Sequence, residues 1–461
     1  MNKVRDPARA DPTPPLASRA WLRRATAGIV AAIFVGLACR ELQLVNSRAV
    51  NMMYGDQWDI YQPMFLGQGW WDTFALQHGP HREGVGLVVT RALALVSGWD
   101  SRWDAFATSL LMIGAAALGL RLALRFGIPA NSILLAAVPL LFLNVHQYEI
   151  FVGAVNLSYS AMPLVLFMAF CLSWFLDNDI WRFLAIGVLT FLLIFTGFGL
   201  FVGLLTPPLV IVEAVQAWRA RQKVHALLAM VALAIAGLGW ALFARGYTFQ
   251  PAVPGFRFPY ERPLQYAVFI GRMLGNFYGT AVLSTWQLVV GLAVAAGLLA
   301  IGAWNGFRCA VRGVANEPRS VVLFCLSAFA LLFCANCAIG RVFTGPIAPL
   351  APRYASLLIP AGLAIFLQLS ALRVRPHVGW LALAYTVLLI PGTAVQRADE
   401  IYGIHWYAEG RSAWKAAYLS THDQAQADAI AHFPVYPGPV TERLDYLETR
   451  RLNLFLPPAD R

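Results

Sequence analysis

Val224-His225-Ala226-Leu227-Leu228-Ala229-Met230-Val231-Ala232-Leu233-Ala234-Ile235-Ala236-Gly237-Leu238-Gly239-Trp240-Ala241-Leu242-Phe243-Ala244 is a run without a single Asp, Glu, Lys or Arg. Arg219, Arg221 and Lys223 close it on one side and Arg245 on the other. About 20 apolar residues wound as a helix rise about 30 Å, the depth of a bilayer core. Comparable runs recur at 25–44, 103–124, 131–148, 157–176, 182–196, 199–217, 282–304, 320–339, 354–372 and 378–396. The chain therefore reads as an all-α, polytopic integral membrane protein of about eleven spans. Composition agrees: of 461 residues 59% are hydrophobic and 13% charged, with a mean hydropathy of +0.60. Soluble domains carry about 25% charge, so an ordinary soluble enzyme is excluded, as are disorder, collagen and coiled coil.

The net charge of +11 reads as a topology signal rather than as a nucleic-acid footprint, because membrane proteins collect Lys and Arg in cytoplasmic loops. With the N-terminus inside, the short inner loops hold Arg121 and Arg125, Arg182, Arg219 to Lys223, Arg308 to Arg319, and Arg373 with Arg375. The opposing connections 144–156 and 195–199 hold neither Lys nor Arg. Nothing after the first apolar run resembles a cleavage site, so that run is a retained helix. The division is a cytoplasmic tail over 1–24, a multi-helix transmembrane domain over 25–396 with an extracytoplasmic catalytic loop at 45–102, and a short extracytoplasmic tail over 397–461. The expected location is a bacterial inner membrane, N-terminus cytoplasmic and C-terminus outside. Six cysteines, mostly within apolar runs, imply no disulfide framework, and Cys334-Ala-Asn-Cys337 reads as buried packing.

The densest ionisable cluster follows the first span: Tyr54-Gly55-Asp56-Gln57-Trp58-Asp59-Ile60-Tyr61, Gly69-Trp70-Trp71-Asp72, and His78-Gly79-Pro80-His81-Arg82-Glu83. Asp56 and Asp59, three apart, share a face on a helical turn, an arrangement for a general base or a metal site. Trp58, Trp70 and Trp71 suit either a sugar ring or the headgroup belt. Residues 84–98 are apolar but short and contain Arg91, which reads as an interfacial helix.

Asp56 followed by Tyr61, Met64, Gly69-Trp70, a turn at Pro80 and an amphipathic helix ending at Gly98 resembles the first periplasmic loop of GT-C glycosyltransferases of the bacterial lipid A and protein-mannosyl type. The resemblance covers roughly 25–125; Asp56-Gln57 stands where those enzymes usually have two adjacent acidic residues. It implies an active site on the outer face, a polyprenyl-phosphate-linked sugar donor, and Asp56 as leading catalytic residue with Asp59 second. Donor and acceptor contacts would come from Trp58, Tyr61, His81, Arg82 and Glu83.

Other outward groups complete the candidate set. Arg257 and Arg262 lie among aromatics in 245–281 and could grip a lipid phosphate, although snorkelling gives the same composition. Arg341 and Arg353-Tyr354 flank a Pro-rich connection on a face that should be depleted of cations. His146 and Glu149 could be a ligand pair, but a solvated helix end fits too. These residues make no cofactor certain; a divalent metal stays open. The reading is glycosyl transfer from a polyprenyl-phosphate sugar to an envelope glycolipid or polysaccharide within membrane lipid, with Asp56 as general base and no nucleic acid involved. A transporter or flippase of a lipid-linked sugar, or an envelope polysaccharide polymerase or ligase, are the alternatives.

Overall fold

The computed structural model describes residues 16–457 except 154, 252 and 373–378, so 1–15 of the expected tail, and Arg373 and Arg375 of the last inner loop, lie outside the described residues. It is 75% helical. Among the described residues, seven helices are long and apolar enough to cross a membrane: Arg24–Arg48, Arg102–Arg125, Gly197–Arg219, Lys223–Ala244, Thr285–Arg312, Pro318–Thr344 and Pro352–Leu372. Several finish on a cation, Arg125, Arg219 and Arg312 among them, which complements the helix dipole and halts the apolar run. The first of these is the apolar part of a helix that already begins at Leu16, inside the segment expected as tail.

The four remaining expected spans fall on shorter helices. The 131–148 stretch breaks into Ile133–Ala136, Ala137–Phe142 and Val145–Gln147, with Ser132 and Asn144 each accepting a backbone N–H at the breaks. The 157–176 stretch is helical only over Ala161–Ser173. Asn156 accepts from the Ser158 N–H and its carbonyl from the Ser160 hydroxyl, and such side-chain to backbone bonds compete with helix. Asp179–Ile194 and Gly379–Ala394 have 16 residues each, about 24 Å of rise against a core of about 30 Å.

One additional helix lies in the 245–281 connection. Leu264–Phe277 buries Phe269, Met273, Leu274 and Phe277 against Thr285–Arg312. The two backbones touch: a Cβ on Gly291 would sit 1.6 Å from the Gly271 carbonyl oxygen. Small residues permit this closeness where lipid supplies no hydrophobic drive between helices.

Outside the bundle, the first connection and the C-terminal segment fold together. Met52, Met53, Trp58, Tyr61 and Leu87 share one core with Trp414, Tyr418, Leu444 and Leu447. Arg411, 2% exposed, ties this body to the bundle by donating to the carbonyls of Val50 and Val152, each at 3.1 Å, and to that of Met52. The tail is thus half of a shared domain rather than a separate appendage. The expected interfacial helix spans Gly84–Ser97, with Leu95 and Val96 turned outward and Thr90 and Ala94 inward. All six cysteines are free.

Candidate functional site

A cavity of about 640 Å³ opens between the bundle and the joint domain. This lies within the range of about 300–1,000 Å³ usual for small-molecule sites. Its cationic wall sits where apolar helices end: Arg341 closes Pro318–Arg341, and Arg353 and Tyr354 open the span Pro352–Leu372. Its opposite wall comes from the loop domain. There Asp56 precedes the single turn Gln57–Ile60, and a two-residue hairpin pairs His78 with His81 around Gly79-Pro80. Gly79 takes φ +55, which a residue without Cβ adopts freely.

Asp56 is exposed, and its carboxylate makes no hydrogen bond or ion pair among the described residues. Asp59 differs. It accepts from the Tyr436 hydroxyl at 2.7 Å and lies 3.7 Å from Arg443 and 3.8 Å from His78. It is therefore committed to docking the tail. Of the two acids, only Asp56 lines the cavity.

Behind the cavity wall, Glu83 is fully buried. Its Oε1 lies 3.0 Å from His78 Nδ1, and its Oε2 accepts from Asn156 at 2.8 Å. Burial opposes a charge on His78, but the hydrogen bond to Glu83 and the charges of Glu83, Asp56 and Asp59 outweigh it and raise its pKa to about 9. His81 goes the other way. Burial holds its pKa at about 4, with Arg341 and His78 adding repulsion, and its Nδ1 has no hydrogen-bond partner. The hairpin therefore presents one imidazolium and one neutral imidazole to the same space.

On the other wall Arg353 is spoken for: Nη1 lies 2.5 Å from Glu149 Oε1, and the Tyr407 hydroxyl donates to the same oxygen at 3.2 Å. Arg341 has no carboxylate or hydrogen-bond partner for its guanidinium among the described residues; the Tyr354 ring, 6.0 Å away, is its neighbour. The Tyr354 hydroxyl is itself buried without a partner. Among the described residues the cavity thus offers one free carboxylate, one free guanidinium, an imidazolium and unpartnered polar groups.

Of the residues singled out from the sequence, Asp56, His81, Arg341, Arg353 and Tyr354 meet in this cavity, and Glu83 stands behind it. Glu149 lines it too, paired with Arg353; the remaining ones do not reach it. Trp58 is fully buried, stacked on Phe65 at 6.4 Å, so it cannot be a sugar platform. Tyr61 is buried and donates to Asp104 Oδ2 at 2.7 Å. Arg82 is a strut, donating to the carbonyls of Phe243 at 2.9 Å, Arg245 at 2.6 Å and Ala75. Arg257 is exposed and faces Glu261 at 3.6 Å, and Arg262 lines a separate cleft. His146 does not join Glu149; it bonds to Glu400 and to the Gly392 carbonyl. Among the described residues no group of three or more His, Cys, Asp or Glu is placed to hold a metal.

Sequence reasoning did not single out His78, Tyr159 or Glu149 as members of one site. Glu149 carried a usable signal, an acid within a long apolar region. His78 carried none beyond its place in the cluster. Compared with protein families, curated proteins and solved structures, the chain finds no match.

Proposed function

We propose that the cavity is the active site of an integral membrane glycosyltransferase. It would move a sugar from a polyprenyl-phosphate-linked donor to a hydroxyl of an extracytoplasmic cell-envelope acceptor. One observation carries this reading: the free carboxylate of Asp56 and the free guanidinium of Arg341 line one cavity at the ends of apolar helices. Asp56 takes the proton of the acceptor hydroxyl. The acceptor oxygen forms its bond to the anomeric carbon as the bond from that carbon to the phosphate oxygen breaks. The polyprenyl phosphate leaves with the electron pair, and its negative charge is met by Arg341. His78, held as an imidazolium, adds positive charge to the same space. Arg353, neutralised by Glu149, shapes the wall.

The position of the cavity supports a lipid-linked donor, since a prenyl chain can stay among the apolar helices while its phosphate stands at their ends. The test is turnover by purified protein in lipid, using a panel of polyprenyl-phosphate sugars and following release of polyprenyl phosphate. Release that depends on an acceptor and is lost in Asp56→Asn supports the reading. Movement of the lipid-linked sugar across the bilayer without bond cleavage would replace it with the flippase alternative.

A further inference from the structure

A second, smaller cleft of about 210 Å³ lies beside the cavity, lined by Tyr260, Arg262, Gln265, Arg272, Phe343 and neighbouring residues. Gln265, Val268, Phe269 and Arg272 come from one face of the helix Leu264–Phe277, at the i, i+3, i+4, i+7 spacing that aligns side chains. The facing wall is the connection that follows Arg341. Val342 and Phe343 close the span Pro318–Thr344, so the cleft sits at the end of a membrane helix, the depth at which headgroups lie.

Its charge is one-sided. Among the described residues neither Arg262 nor Arg272 has an ion pair, and Arg272 Nε is buried without a hydrogen-bond partner. The nearest acid in sequence, Glu261, faces Arg257 outside the cleft. Two unpaired guanidinium groups with Tyr260 and Gln265 form a donor-rich, acid-free recess, and guanidinium forks match phosphate oxygens. Val268, Phe269 and Phe343 between them suit the apolar start of an acyl chain.

We propose that this cleft is a binding site for the phosphate headgroup of an anionic membrane phospholipid, distinct from the cavity and its donor. Arg341 faces the cavity while Val342 and Phe343, the next residues, face the cleft. Phe343 also packs at 6.4 Å against Phe256 of the cavity wall. A seated headgroup therefore braces the segment that carries Arg341.

The test is native mass spectrometry of the full chain in micelles supplied with phosphatidylglycerol or phosphatidylcholine. Its readout is lipid retention, so it stands or falls separately from glycosyl transfer. Wild type should retain phosphatidylglycerol about tenfold over phosphatidylcholine, and Arg272→Gln and the exposed-site variant Arg262→Gln should each lose most of that preference, as removal of a charge-assisted contact predicts. Arg257→Gln should keep it. Equal retention of both lipids by wild type, or unchanged preference in both Arg272→Gln and Arg262→Gln, overturns the site. Should millimolar inorganic phosphate stabilise wild type as much as phosphatidylglycerol does, with Arg272→Gln losing both effects, the assignment to a lipid falls.

Discussion

Arg353 holds Glu149 by two contacts, its Nη1 2.5 Å from Oε1 and its backbone N–H donating to Oε2 at 3.1 Å. The pair changes what the Pro-rich connection can do. Two arginines flank it in the sequence, and a symmetrical clamp on a phosphate is the natural reading of that spacing. In the fold the charge of one is cancelled, which leaves Arg341, among the described residues, as the cation of that wall without an acid.

Removing Arg353 should therefore cost stability before it costs substrate binding. Arg353→Ala leaves the Glu149 carboxylate, 2% exposed, without its cation. Loss of a hydrogen bond to a buried charge costs about 1.5–3 kcal/mol. The Arg353 side chain is 41% exposed, which screens the pair and favours the lower end. Thermal unfolding in detergent should show a fall of a few degrees, largely restored in Arg353→Ala/Glu149→Gln. A single variant as stable as wild type but poor in donor use would return Arg353 to the binding set.

Asp56 and Asp59 should separate cleanly. Asp56→Asn removes a carboxylate with no structural partner and should lower transfer by about 10²–10⁴, the usual contribution of a general base, at unchanged melting temperature. Asp59→Ala removes the acceptor for Tyr436 and the charge facing Arg443. It should loosen the C-terminal segment, seen as faster limited proteolysis there, with activity falling only as the domain opens. The reverse pattern would transfer the base role to Asp59.

The two hairpin histidines predict opposite limbs of a stability–pH profile. His78 titrates at about 9 when folded against about 6.5 unfolded. Its stabilisation is complete below about 6.5 and is lost as the pH rises through about 9. His81 titrates at about 4 when folded. The unfolded chain alone binds that proton between about 6.5 and 4, so stability falls as the pH falls through this window. Melting temperature should peak near neutrality; His78→Gln should flatten the alkaline limb and His81→Gln the acid limb. If each limb survives loss of its histidine, other groups govern it.

How much of this was legible beforehand follows from what each residue type signals. Apolar runs bounded by Arg or Lys announce helices because composition alone sets membrane affinity, and the seven long helices all fall on such runs. The shorter segments form shorter helices than their apolar runs for a definite reason: a window average over 157–176 does not register that Asn156, Ser158 and Ser160 bond locally and delay the helix. Asp56 stood out in the sequence because it heads the acidic cluster, and the fold places it on the cavity wall. The places of Trp58 and Tyr61 were not readable, since an aromatic beside a membrane suits headgroups, sugars or a core equally. Only the long-range contact with Trp414 and Tyr418, more than 350 positions on, decides for the core. The same limit hid the Glu149–Arg353 pair, whose partners are 204 residues apart.

Arg341 provides the sharpest test of the proposed chemistry. Its guanidinium borders the cavity with the Tyr354 ring 6.0 Å away and no acid to satisfy it among the described residues. If it meets the carrier phosphate, the contact is charge-assisted and is worth about 1.5–3 kcal/mol, or about 10- to 150-fold. Arg341→Gln should then reduce donor use by that order, with an unchanged melting temperature because no structural bond is lost. Arg341→Lys should recover only part of it, since a point charge cannot reproduce two parallel N–H donors. The deficit should appear in the KM for the lipid-linked sugar and not in the KM for the acceptor. Plain snorkelling of a helix-end cation predicts that Lys restores everything. Full activity in Arg341→Lys, together with normal donor KM in Arg341→Gln, would remove the phosphate from this wall and leave His78 as the cation facing Asp56.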